Sequence, residues 1–163
     1  MRPIETYHRD LKTNGFVTDP AQKRAIDALQ LLYDDLVADT TSQTRFIKRL
    51  LGLFTNSHTT AIQGLYIWGG VGRGKTWLMN LFYESLPFEN KLRLHFHHFM
   101  LDVHEKLARL DKLKNPLTVI ARDFAANYRV LCLDEFIVTN ITDAMLLSGL
   151  LEELINNLSL IHI

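Results

Sequence analysis

The chain has 163 residues, 47% of them apolar and 22% charged, with 18 basic residues balancing 18 acidic ones. That is the makeup of one folded domain, and zero net charge argues against a strongly electrostatic nucleic-acid binder. A single cysteine excludes an intrachain disulfide, and no run has the apolar length of a signal peptide or a membrane span, so a cytoplasmic-type protein is expected.

Residues 1–63 read as a helical N-terminal segment. DPAQ, Asp19 to Gln22, marks a helix start, with Asp19 as N-cap, Pro20 in the first turn and Gln22 at capping-box spacing. Ile26, Leu29, Tyr33 and Leu36 then share one helical face. After the polar ADTTSQT, Phe46, Ile47, Leu50, Leu51 and Phe54 predict another helix, and TNSHTT (Thr55 to Thr60) closes the segment.

From Gly64 strands and helices alternate. LYIW (Leu65 to Trp68) is a short apolar strand, and KTWLMNLFYESL continues as a helix. LRLHFHHF (Leu92 to Phe99) alternates as a strand would, with Leu92, Leu94 and Phe96 on one face and Arg93, His95 and His97 on the other. A helix through Met100, Val103, Leu107 and Leu110 follows. Asn115-Pro116 starts another, with Leu117, Ile120, Ala121, Phe124 and Tyr128 on one stripe. VLCLDE (Val130 to Glu135) is apolar on both faces until its end, as a strand covered by helices on each side would be. Asn140 then caps a helix from Ile141 to about Asn157, with Asp143 in its first turn. This order predicts an α/β fold with a parallel sheet over residues 64–157.

Chemistry concentrates between LYIW and the next helix. Gly69 to Thr76, GGVGRGKT, matches G-x-x-x-x-G-K-[ST] in the strand-to-helix context of a phosphate-binding loop. Glycines let successive backbone N–H groups turn inward as an anion nest, and the following helix adds its positive end. The expected nucleotide-binding residues are Gly69, Gly70, Val71, Gly72, Arg73, Gly74, Lys75, Thr76 and the adjoining Trp77. Lys75 is expected to reach the β- and γ-phosphates and act catalytically, and the Thr76 hydroxyl to bind Mg²⁺. A nucleotide hydrolase also needs a carboxylate for the metal and a base for water. Asp134 and Glu135 supply these at the end of an apolar strand, Asp134 for Mg²⁺ and Glu135 for the attacking water.

Three stretches together, GLYIWGGVGRGKTWLM, LHFHHFMLDVHEKL and LCLDEFIVTNITDAMLL, resemble the ZapE-like, AFG-type family of AAA+ P-loop ATPases. The N-terminal YHRDL, FVTDPAQ and LLYDDL are similar too. The resemblance implies an AAA+-like enzyme that hydrolyses ATP with Mg²⁺ and acts as a homo-oligomer. For the bacterial branch it also implies association with the FtsZ division ring. Asn140 stands where the family pattern carries an aspartate, a change that a helix cap tolerates. Family members continue through a fourth strand ending in a Ser-Asn sensor, an arginine finger and a second sensor. In the implied sheet the fourth strand lies between the first and the third. LSLIHI (Leu158 to Ile163) reads as a stub of that strand or as a non-native tail, because one frame of a common sequencing-library transposon end encodes the same hexapeptide. The polypeptide as written is therefore expected to bind ATP weakly and turn it over poorly. A nucleotide-gated binding module and an inactive truncated product are the alternatives.

Other conspicuous residues have plainer readings. His95, His97, His98 and His104 cluster in sequence, but alternation along a strand separates His97 from His98, and polar residues near a nucleotide or subunit face are expected. Phe99 and Met100 fall where AAA+ motors carry a pore loop. Cys132 is expected to pack in the core, and Trp68 and Trp77 to pack the phosphate loop against sheet and helix.

Overall fold

The computed structural model describes residues 1–14, 19–41, 64–110, 113–155 and 159–162, and its organising element is the strand Val130–Asp134, buried along its whole length. Alternate side chains of a strand point to opposite sheet faces. Val130 and Cys132 accordingly join one apolar cluster, and Leu131 and Leu133 join the other. The expectation of a strand covered on both sides holds.

In chain order the described elements are α1 (Pro3–Asn14), α2 (Pro20–Thr41), β1 (Leu65–Tyr66), α3 (Lys75–Ser85), β2 (Lys91–His95), α4 (Phe96–Arg109), α5 (Pro116–Asn127), β3 (Val130–Asp134), α6 (Ile141–Ile155) and β4 (Ser159–His162). The strands form one sheet in the order β1-β4-β3-β2, every pair parallel. Ser159–His162 thus runs between β1 and β3, where the resemblance implies a fourth strand. The α/β class with a parallel sheet is what the sequence predicts.

One core layer joins α1, α2 and α3 to the sheet through Tyr7, Ile26, Leu29, Leu36, Leu78 and Phe82. The other seats α4, α5 and α6 through Phe99, Val103, Ile120, Phe124, Leu150 and Leu154. The helix starts follow local chemistry. Asp19 Oδ1 accepts the Ala21 N–H at 2.8 Å, and Asn140 Oδ1 accepts the Thr142 N–H at 2.8 Å, so both expected caps form. Gly149 lets α6 approach α5 closely, since a Cβ there would lie 3.2 Å from Leu117 Cδ1.

Several expectations are corrected. The strand predicted over Leu92 to Phe99 is Lys91–His95, and α4 begins at Phe96. Helical spacing wins there because Phe96, Phe99, Met100 and Val103 recur at intervals of three and four, and all four are buried. That burial also rules out a pore-loop role for Phe99 and Met100, which are 0% and 3% exposed. His97 and His98 sit on a helix with ring centroids 4.3 Å apart, contrary to the separation that strand alternation implied. β1 spans only Leu65–Tyr66, and Trp68 is 81% exposed, so it does not pack the loop against the sheet. The helix predicted through Phe46 to Phe54, and TNSHTT after it, lie outside the described residues.

Candidate functional site

Parallel strands put their carboxyl ends on one side of a sheet, and ligands of such sheets gather there. At that edge β1 runs into the glycine loop, and β3 ends at Asp134 directly opposite His95 of β2. Gly72 and Gly74 adopt φ of 76° and 77°, a left-handed backbone that residues with a Cβ resist. Gly74 is the N-cap of α3 and offers that helix no side-chain cap. The helix therefore starts with its N–H groups aimed into the loop, the arrangement suited to an anion.

Thr76, Asp134 and Glu135 converge, while Lys75 bonds the loop itself. Lys75 lies back over the loop, its Nζ donating to the Gly69 carbonyl at 3.0 Å and the Gly70 carbonyl at 2.9 Å. Thr76 Oγ1 donates to Asp134 Oδ1 at 3.2 Å, which ties the loop to the end of β3. The Glu135 N–H donates to the same Oδ1 at 3.1 Å. Asp134 is 2% exposed, whereas Glu135 turns outward at φ 53°, a conformation uncommon without glycine. Two adjacent carboxylates thus have opposite surroundings: one is buried and anchored, the other faces the open side of the site.

The other loop residues divide. Gly69, Gly70 and Val71 are exposed at the loop's tip. Arg73 is bound to Asp19, Nη2 to Oδ2 at 3.1 Å, so its guanidinium points to α2. Trp77 packs its ring against Tyr7 with centroids 5.5 Å apart. Cys132 is buried, and burial pushes its thiol up to about 12, which removes it as a nucleophile.

Two contributors went unnoticed in the sequence. Gln22 Nε2 donates to the Arg73 carbonyl at 3.0 Å, so the first turn of α2 braces the phosphate loop as well as starting a helix. Arg93 Nη2 lies 3.3 Å from Asp134 Oδ2 and supplies the positive charge beside the buried carboxylate. Local pattern could not reveal the Gln22 contact, because it spans 51 residues. The Arg93 contact had a signal: two residues before a strand's end, on the strand paired with β3, is within an arginine's reach of its terminal carboxylate.

His95, His97 and His98 lie together, with ring centroids 6.2 Å apart for His95–His98 and 4.3 Å for His97–His98, whereas His104 stands apart from them. His95 Nδ1 stands 3.9 Å from Glu135 Oε2, and His104 Nε2 pairs with Asp143 Oδ1 at 2.7 Å between α4 and α6. Among the described residues no three His, Cys, Asp or Glu side chains converge as a metal-binding group. The Thr76 hydroxyl with the Asp134 carboxylate is instead a hard oxygen pair, the donor chemistry that suits Mg²⁺. Between α2 and the loop opens a cleft of about 710 Å³, walled by Ala21, Ala25, Tyr66 and Gly70 among others, within the range of small-ligand sites. No helix among the described residues is long and apolar enough to cross a membrane.

The family model described as AFG1-like ATPase matches residues 1–161. The cell division protein ZapE of Escherichia coli K12 is 47% identical over 160 residues, covering 94% of this chain and 43% of that protein. An uncharacterized protein of Schizosaccharomyces pombe is 33% identical over 181 residues, covering 93% of this chain and 40% of its own length. Lactation elevated protein 1 homolog B of Danio rerio is 41% identical over 103 residues, covering 56% of this chain and 20% of that protein. The chain therefore spans less than half the length of these relatives, and no solved structure matches it. A parallel α/β sheet, a glycine loop tied to a buried carboxylate and a family match over nearly its whole length make this chain a member of the AFG1-like ATPase family, with ZapE among its relatives.

Proposed function

We propose that the protein is an AAA+-type ATPase that binds Mg-ATP between the glycine loop and the end of β3 and hydrolyses it to ADP and phosphate. The observation that carries this reading is the Thr76–Asp134 hydrogen bond of 3.2 Å, which joins two motifs 58 residues apart into one site. Loop amides and the uncapped start of α3 receive the phosphates. Lys75 exchanges its two carbonyl partners for phosphate oxygens, and the cleft beside α2 has room for the nucleoside. Thr76 and Asp134 would hold Mg²⁺, which neutralises charge on the phosphates when bound. Glu135, exposed beside them, orients and polarises the attacking water.

The resemblance supports action as a homo-oligomer with FtsZ or another division protein as partner, at a cytoplasmic division site. Titration with a fluorescent ATP analogue and Mg²⁺, alongside phosphate release, tests the reading. Lys75→Ala should abolish binding, while Glu135→Gln should bind as well as wild type and lose turnover at least about a hundredfold. Binding that is indifferent to Lys75 would overturn it.

A second reading, a nucleotide-gated binding module, is favoured by the bracing of the loop by Asp19 and Gln22. A change in loop shape would reach α2 through those two contacts. Under that reading Glu135→Gln accumulates a partner-bound state, which co-sedimentation with division proteins would detect.

A further inference from the structure

The environment of Asp134 is divided between its two oxygens. Oδ1 receives neutral donors, the Thr76 hydroxyl and the Glu135 N–H, at 3.2 and 3.1 Å. Oδ2 receives a cation, Arg93 Nη2, at 3.3 Å. The Asp134 side chain is 3% exposed and that of Arg93 31%, so the carboxylate is buried and its guanidinium partner reaches it from a wetter side. A charge so enclosed is costly to bury without an opposite charge beside it. On the wetter side Arg93, Leu94, His95 and His98 line a cavity of about 240 Å³ that also touches Asp134, large enough to accept a displaced guanidinium.

We propose that Arg93 is the resident counter-cation of Asp134, and that Mg²⁺ entering with a nucleotide takes over its charge. Arg93 then sets the Mg²⁺ concentration at which the site fills. The inference rests on the Mg-nucleotide reading above. Its physical basis is competition: a guanidinium at 3.3 Å satisfies the carboxylate before the metal arrives and repels the dication that replaces it. Arg93 acts through Asp134 and is a positioning residue; no contact with substrate is required of it.

The test has two arms. In the first, nucleotide binding is titrated with Mg²⁺ at saturating fluorescent ATP analogue for wild type and Arg93→Met. The substitution should lower the Mg²⁺ midpoint about fivefold or more, as removal of a close like charge implies, and Arg93→Lys should restore the midpoint toward wild type. A midpoint within about twofold of wild type in Arg93→Met overturns the inference alone. A wild type lacking any Lys75-dependent binding overturns the functional reading and this inference with it.

The second arm measures thermal unfolding in EDTA and covers the case that Arg93→Met folds poorly. Arg93→Met leaves a buried carboxylate without its cation, so its melting temperature should fall. In an Asp134→Asn background the same substitution should lower it by less than half as much. Equal losses in both backgrounds would show that the two side chains are not coupled and would also sink the proposal.

Discussion

Gly74→Ala tests whether the phosphate loop holds its shape through backbone freedom. Gly74 has φ of 77°, which costs a residue bearing a Cβ about 1–2 kcal/mol. The new methyl would also stand 3.0 Å from Gln22 Nε2, tighter than most side-chain contacts, so Gln22 must give way by a few tenths of an ångström. Gln22 is flexible and can withdraw, but doing so lengthens and weakens its 3.0 Å hydrogen bond to the Arg73 carbonyl, a further loss of up to about 1 kcal/mol. The loop cannot relax freely, because the Gly74 carbonyl accepts the Leu78 N–H at 3.0 Å and so begins α3. Together these give about 2 kcal/mol of destabilisation. Urea unfolding followed by far-UV circular dichroism measures it. In a Gln22→Ala background the hydrogen bond is already gone, so Gly74→Ala should cost only the backbone share, about 1–2 kcal/mol and less than in the wild-type background. A single variant within about 0.5 kcal/mol of wild type, or an undiminished cost in the Gln22→Ala background, would refute the reasoning.

Tyr7→Phe should be neutral or stabilising by up to about 1 kcal/mol, because the buried Tyr7 hydroxyl has no hydrogen-bond partner among the described residues. A loss above that in thermal unfolding would disprove it. Burial, with Asp19 adding to it, raises the Tyr7 phenol above its ordinary 10.0. The unfolded phenol ionises first, so stability present below pH 10.0 falls as the pH rises past it, and Tyr7→Phe should flatten that alkaline decline. Cys132, with its thiol pushed up to about 12, should resist maleimide at about pH 8 until the protein is unfolded. Labelling of the native protein faster than its unfolding would contradict the burial described for β3.

Where the chemistry is local, the sequence was readable. GGVGRGKT announces a phosphate loop because glycines, lysine and threonine act through backbone and spacing within one turn. VLCLD announces a doubly covered strand by its unbroken apolar character, and Asn140 and Asp19 announce helix starts because a cap bonds its own backbone two residues on. Ambiguity arose where two periods overlap. Leu92, Leu94 and Phe96 fit a strand, while Phe96, Phe99 and Met100 fit a helix, and burial in the tertiary core selected the helix from Phe96 onward. Trp68 illustrates a different failure, since a large apolar residue beside a strand need not be covered, and this one is 81% exposed. Long-range contacts were least visible. Nothing near Gln22 in sequence points to Arg73, and their meeting depends on how α2 crosses the loop.

The alternation of β3 has a consequence for how this chain can vary. Val130 and Cys132 belong to one helical layer, Leu131 and Leu133 to the other, and Asp134 completes the count. Inserting or deleting one residue there would exchange the memberships of both layers and turn the terminal carboxylate away from Thr76 in the same stroke. Substitutions among aliphatic residues can be absorbed, but a change in length cannot. The parity of this five-residue segment is thus held from two directions at once, by packing on either side and by the carboxylate at its end.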